Sequence, residues 1–324
     1  MTIKAGLLRY NSVFKRSRII LFLFVMVAQS AMAQYDVAFS HYFDMEPYFN
    51  PAAIGKQDKV NIVGAYSMQF VGFENNPKTM YASADAPFSF MNSFHGAGVQ
   101  LLNDKIGVFT HQRMSVQYAL KRPLFGGVMS VGVQVGLILE GFDGSKIDVG
   151  DPSDPAFTGS DLKGNSVDLG AGIYYTHGTW YAGVSLQHAT APLIELGERN
   201  ELKIDRTYYL TGGYNIRLRN PFLTIPMSTI VRYDGTGYRA DVTARLLYQN
   251  EKKRLYGGVG YSPKNSVTAF VGGSFHGFNL GYSYEIYTSK ISPANGSHEL
   301  FVGYQMDLNF RKKGRNLHKS VRYL

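Results

Sequence analysis

From Val60 almost to the end of the chain, apolar and polar side chains alternate with a period of two. Met129, Val131, Val133, Val135, Leu137 and Leu139 form one row, against Ser130, Gly132, Gln134, Gly136 and Glu140 on the other. Successive side chains of a strand point to opposite faces, so each such row is a strand with one apolar and one polar surrounding. The segment from Tyr238 to Tyr248 sets the length scale. Its apolar row is Tyr238, Ala240, Val242, Ala244, Leu246 and Tyr248, and its polar row includes Arg239, Asp241, Thr243 and Arg245. The terminal tyrosines stand ten residues apart, roughly 33 Å along a strand and about 25 Å in depth at a tilt of about 40°. That is the height of a lipid-facing band bordered by aromatic belts. A soluble β-sandwich also alternates, but it has little reason to align Arg239, Asp241 and Arg245 on one continuous row.

The rows predict an all-β fold, a closed antiparallel transmembrane β-barrel of about 14 strands. They fall near 59–72, 78–88, 95–103, 110–121, 127–140, 166–176, 179–190, 206–218, 223–234, 238–249, 254–262, 266–275, 278–288 and 297–308. An even number puts both ends of the barrel on one side, the periplasm in bacterial barrels. The long connections, 141–165, 191–205 and 289–296, then all face outward, and Thr176-His177-Gly178 and His276-Gly277 are short inward turns. Closure is required because each unsatisfied backbone group costs several kcal/mol in hydrocarbon. Pro226 is a weak point in its strand, since proline donates no ladder hydrogen bond. Glycines recur along the last strands, where they ease curvature under neighbouring aromatic side chains.

The N-terminus reads as an export signal over residues 1–33. Lys4, Arg9, Lys15, Arg16 and Arg18 precede an apolar run from Ile19 to Ala28, and Ala31-Met32-Ala33 predicts cleavage before Gln34. Ten apolar residues make a helix of roughly 15 Å, too short for a membrane anchor. There is no cysteine, which excludes a lipid-anchored N-terminus, disulfides and thiolate chemistry. The formal charge of +9 is concentrated at the ends: five cations in the leader and six in the last sixteen residues leave the body near −2. No basic stripe marks a nucleic-acid footprint.

Four parts follow: the signal peptide (1–33), a periplasmic N-terminal segment (34–58), the outer-membrane barrel (59–308) and a basic periplasmic tail (309–324). The N-terminal segment either plugs the lumen or serves as an ordered leader to the first strand. The tail carries Arg311, Lys312, Lys313, Arg315, Lys319, Arg322, Tyr323 and Leu324. It reads as a surface for an acidic periplasmic partner or as a segment drawn to anionic head groups.

No catalytic constellation stands out, and the chain is expected not to be an enzyme. The eight histidines are dispersed without paired metal-ligand spacing, and no nucleophile elbow occurs. Glu140, Asp143, Asp148, Asp151, Asp154 and Asp161 could offer oxygens to Ca²⁺, but their spacing fits no EF-hand and a solvated acidic loop is the usual meaning. Neither cofactor nor metal is expected. The inward charges, among them Arg113, Glu140, Asp168, Arg217, Arg232, Arg239, Asp241, Arg245, Glu285, Glu299 and Asp307, are mixed in sign. Mixed signs suit mutual pairing or a held plug better than an ion-selective constriction.

The motif Asn50-Pro51-Ala52-x-x-Gly55, the mature start at Gln34-Tyr35-Asp36 and the ending Lys319-Ser320-Val321-Arg322-Tyr323-Leu324 resemble the PorP/SprF family of type IX secretion system outer-membrane proteins. The final hexapeptide looks closer to the PorP branch. The resemblance implies a non-catalytic component in a Gram-negative outer membrane that supports secretion or surface attachment of cargo proteins. It also implies periplasmic partners: ring proteins such as PorK and PorN, and a peptidoglycan-binding lipoprotein such as PorE. The alternative is an outer-membrane transporter of a hydrophobic small molecule, because Asn-Pro-Ala also occurs near the start of fatty-acid-transporter barrels.

Overall fold

A computed structural model describes residues 35–56, 59–91, 93–146, 161–197, 200–250, 253–289 and 295–308. Residues 1–34, the tail from residue 309 and the middle of the acidic loop lie outside these. Strands β1 (Lys59–Met68), β2 (Lys78–Phe90), β3 (Ser93–Ile106), β4 (Phe109–Leu124), β5 (Gly127–Phe142), β6 (Leu162–His177) and β7 (Trp180–Gln187) form one half of a closed antiparallel barrel. After a separate hairpin, β8 (Leu193–Leu196) and β9 (Asn200–Lys203), the wall continues through β10 (Thr207–Arg217), β11 (Leu223–Tyr233), β12 (Tyr238–Asn250) and β13 (Lys253–Ser262). The last three strands are β14 (Ser266–Phe275), β15 (Phe278–Tyr287) and β16 (Ser297–Asp307). Strand β1 pairs with β16 from Lys59↔Asp307 to Met68↔His298, which closes the 14-strand ring.

The two faces of the wall separate as the period-two rows predict. On β5, Val131, Val133 and Val135 are about half exposed on the outside, whereas Gln134 is 1 % and Ile138 0 % exposed inside. An apolar outer band this wide is a surface for lipid, far beyond the patch a soluble monomer leaves open. Among the described residues no helix is long and apolar enough to cross a membrane.

The connections sort by length between the two ends. The end carrying the start of β1 and the end of β16, here the near mouth, has turns of at most five residues. Phe125-Gly126 and His276-Gly277 are two-residue hairpins with positive φ at both positions, the geometry that matches strand twist. All the long connections, 69–77, 143–161, 188–206 and 288–296, meet at the far mouth. The ladder between β11 and β12 breaks at Pro226: Thr224 pairs with Leu247 and Met227 with Ala244, with no pair between them. The missing proline donor accounts for the gap.

One long connection holds structure that the strand rows do not show. Residues 191–205 lie at the same end as the other long connections, as the parity predicts, but carry a hairpin of their own. Beyond β7 the chain turns at His188 and Ala191, both with positive φ, and hairpin β8–β9 lays Ile194 (0 % exposed) against the inner face of β6 over Gly164.

Candidate functional site in the barrel lumen

Residues Asp36 to Lys56 pack against the inner wall on every side. Glu46–Phe49 form a single helical turn, α1, with Pro47 in its first turn, and Pro51–Ala53 form a 3-10 turn. Val37, Phe39, Tyr42, Phe43, Met45, Tyr48 and Phe49 cluster with Tyr81, Leu102, Tyr209, Ile230, Phe270 and Phe301 of the wall. Phe39, Tyr48 and Tyr81 meet edge to face or tilted, with centroids 5.0 to 5.7 Å apart. This is the hydrophobic core of the molecule.

Polar anchors reach the segment from around the circumference. The Glu299 carboxylate of β16 accepts from the backbone N–H of Ser40 and His41, each at 2.8 Å. Tyr42 donates to the carbonyl of Ser228 at 2.8 Å and lies 3.0 Å from Thr243 Oγ1. A strip of amides ties four strands together: Gln100 and Gln117 both donate to Gln134, and Gln134 donates to Gln187. The strip ends on the segment, where Gln187 donates to the carbonyl of Phe49 and Gln117 to that of Pro47. Buried polar groups are costly unless satisfied, and here the wall and the segment satisfy one another.

Asp36 sits at the most charged point. Its carboxylate accepts from Tyr209 Oη at 2.7 Å and lies 3.2 Å from His188 Nε2 and 3.8 Å from Arg113 Nη1. The other nitrogen of His188 is 3.1 Å from Asp168 Oδ2, so the ring bridges two carboxylates. Burial alone would raise the Asp36 pKa, but His188, Arg113 and Tyr209 outweigh it and hold the carboxyl well below the usual range. Burial would lower that of His188, which lies beyond the end of β7, yet the two aspartates push it up to about 9.

The Asn50-Pro51-Ala52-x-x-Gly55 motif is the most closely seated part. Asn50 is fully buried; its Oδ1 accepts from Ala52 N at 2.9 Å, capping the 3-10 turn, and its Nδ2 donates to the carbonyl of Ile173 at 3.2 Å. Its seat consists of inward glycines. A Cβ on Gly172 would stand 2.2 Å from Asn50 Oδ1, one on Gly132 2.3 Å from Ala52 N, and one on Gly96 2.8 Å from the carbonyl of Ile54. Gly55 adopts φ +57° with Pro87 and Gly96 backbone about 3 Å from where its side chain would begin, and donates its N–H to Asp85 at 2.6 Å. Only glycine combines that conformation with that clearance.

Beside the segment, toward the near mouth, lies a cavity of about 230 Å³. The ends of β12, β14 and β16, the starts of β13, β15 and β1, and Asp85 of β2 bound it, and Phe43, Asp44 and Lys56 of the segment form its opposite wall.

A family description, type IX secretion system membrane protein PorP/SprF, matches residues 31–304. The chain belongs to that family. PorP/SprF proteins are outer-membrane components of type IX secretion, which places this barrel in that membrane. No curated protein matches the chain. Solved structures similar to this PorP/SprF barrel include a Pseudomonas aeruginosa FadL homologue, at 9% identity and TM-score 0.47, covering 80% of this chain and 93% of that one. The CymD monoaromatic hydrocarbon channel has 9% identity and TM-score 0.47, covering 83% and 92%. BamA from Haemophilus ducreyi has 10% identity and TM-score 0.41, covering 76% and 70%. Likeness at this level bears on no site or ligand.

Of the PorP/SprF residues singled out from sequence, the motif is brought together in the lumen. The tail residues Arg311, Lys312, Lys313, Arg315, Lys319, Arg322, Tyr323 and Leu324 lie outside the described residues, as do Asp148, Asp151 and Asp154. Glu140 pairs instead with His111, and Asp143 accepts from Ser145. No group of metal-ligating side chains occurs among the described residues. Several inward charges pair as expected of mixed signs, Arg239 with both Asp241 and Glu285 at 3.1 Å. Sequence reading missed the glycine seat and the partners of Asp36. Gly96, Gly132, Gly172 and Gly183 occupy inward positions on β3, β5, β6 and β7, and that register was the available signal.

Proposed function

We infer that this protein is a non-catalytic anchor of the type IX secretion apparatus. Exported by a signal peptide cleaved before Gln34, it sits with its near mouth toward the periplasm. There the basic tail 309–324, beside a lumen filled by the segment 34–58, docks ring proteins like PorK and PorN and a peptidoglycan-binding lipoprotein like PorE. Secretion or surface attachment of cargo depends on that docking. The observation that carries the reading is the occupied lumen: Asp36 to Lys56 are bonded to wall strands all round, which suits a rigid platform. Both ends of the barrel meet at the mouth with the short turns, the periplasmic arrangement of bacterial barrels.

The transporter reading draws less support. A small-molecule site usually needs about 300 Å³ or more with mostly apolar walls. The apolar void inside the segment, among Val37, Phe39, Met45, Tyr48 and Ile230, is about 30 Å³, and the larger cavity of about 230 Å³ is walled in part by six charged side chains.

Truncation after Leu308 tests the docking role. The barrel is expected to insert normally, while cargo secretion stops and the ring proteins no longer co-purify from detergent-solubilised outer membrane. Normal secretion by the truncated chain would remove the tail from the mechanism.

A further inference from the structure

The near-mouth cavity carries charge that the fold itself does not use. Six charged side chains line it: Asp44, Glu46, Lys56, Asp85, Arg245 and Arg254. Three of them are spoken for. Glu46 holds Lys56 at 2.8 Å and accepts from Tyr174, and Asp85 accepts from Gly55 N and from Asn61 Nδ2. Arg245 places its Cζ over the Phe43 ring, 3.4 Å from its centroid, and reaches Ser228 Oγ at 3.3 Å, leaving a buried Nε without a hydrogen-bond partner. The Arg254 side chain makes no hydrogen bond or ion pair among the described residues. Asp44, exposed on the cavity side, forms no ion pair with either arginine. Two guanidinium groups without an ion-pair partner therefore share with the Asp44 and Asp85 carboxylates a space open toward the near mouth.

The remaining lining is suited to a peptide. Asn279, Ser274 and Gln305 offer amide and hydroxyl groups, and Tyr256 and Leu280 offer apolar contact for a side-chain stem. A planar guanidinium matches a carboxylate bidentately. About 230 Å³ admits a side chain or two from a loop or terminus and excludes a folded domain.

We propose that this cavity is a carboxylate-binding pocket that receives an acidic peptide segment of a periplasmic partner through the near mouth. It deepens the docking reading above and rests on its orientation. The chain's own tail is the weaker occupant, since residues 309–324 carry six cations and no acidic side chain.

The test is titration of the full mature chain in detergent micelles with a fluorescent Glu/Asp-rich decapeptide, against a Lys-rich decapeptide, inorganic phosphate and a free 309–324 peptide as competitors. Saturable binding is expected, weakening with salt. Arg254→Gln is expected to weaken it about tenfold, the loss of roughly one charge-assisted contact, with unchanged thermal stability. Arg245→Gln, which also loses its packing on Phe43, is read only beside that variant. Equal affinity of wild type and Arg254→Gln, or preference for the basic peptide, overturns the pocket. Displacement by phosphate as readily as by peptide makes it an inorganic anion site. Tighter binding after tail deletion, reversed by the free tail peptide, assigns it to the chain's own terminus and overturns the partner. If tail truncation secretes normally while Arg254→Gln loses the peptide, the docking role of the tail fails and the pocket stands.

Discussion

Asn50 performs two tasks at once, capping a turn of the segment and tying it to the backbone of β6. Removing it as Asn50→Ala is expected to cost about 1–2 kcal/mol, the usual loss for a cap and a buried hydrogen bond. Gly172→Ala attacks the same contact from the wall, because its Cβ would fall 2.2 Å from Asn50 Oδ1. Overpacking of that kind costs about 1–3 kcal/mol. In the double variant the clashing oxygen is gone, so its destabilisation should fall short of the sum by about 1 kcal/mol or more. Denaturant unfolding in micelles measures the cycle, and strict additivity would break the link between motif and glycine. The Asp36–His188 contact makes a second claim. Raised to about 9 by its carboxylates, His188 contributes stability that is complete below its ordinary value of about 6.5 and disappears as pH climbs through about 9. Asp36, held low, keeps its contribution above the ordinary carboxylate range and loses it only in strong acid. The wild-type melting temperature should therefore fall between pH 7 and pH 10.5 by more than that of His188→Gln. Parallel curves would show that the histidine does not carry charge in the fold.

Elements were legible wherever one physical demand acted on a whole strand. Lipid on one side and protein or water on the other imposes a period of two, and strands such as β5, β12 and β14 follow their rows to within about two residues. Pro226 was legible for the same reason: a missing donor is written in the residue, and the β11–β12 ladder breaks there. Hairpin β8–β9 was not. Each of its strands has four residues, too short for alternation to stand out from chance, and its burial depends on Gly164 far away in sequence. The lumenal segment lies between these cases. Its motif was visible as a string of residues, but nothing periodic marks a chain that fills a hole. The information sits in the wall, where inward glycines on neighbouring strands leave room for Asn50, Ala52 and Ile54. Read one strand at a time, those glycines look like relief of curvature, and several do serve that way, as Gly272 and Gly281 do under Tyr256.

At the scale of the molecule, the wall and its filling are separable in principle. Every ladder pair, including the closure of β1 on β16, lies between residues 59 and 307. The inward row beneath the segment is rich in Gln100, Arg113, Gln134, Asp168 and Arg232, side chains that water can solvate as it does in porin lumens. Deleting residues 36–56 should therefore leave a chain that inserts and closes but conducts. In planar bilayers the deletion variant is expected to show discrete ion-conducting steps, and the intact protein none. Gly132→Val provides a milder case with the segment retained, since its added carbon would meet Ala52 N at 2.3 Å and loosen the motif from its seat; intermittent openings are expected. Steady conductance by the intact chain would mean that the lumen is open past the segment, and the platform role would lose its structural basis. Silence in both variants, with insertion verified by heat-modifiable mobility, would place the seal elsewhere, at the far mouth where hairpin β8–β9 folds inward.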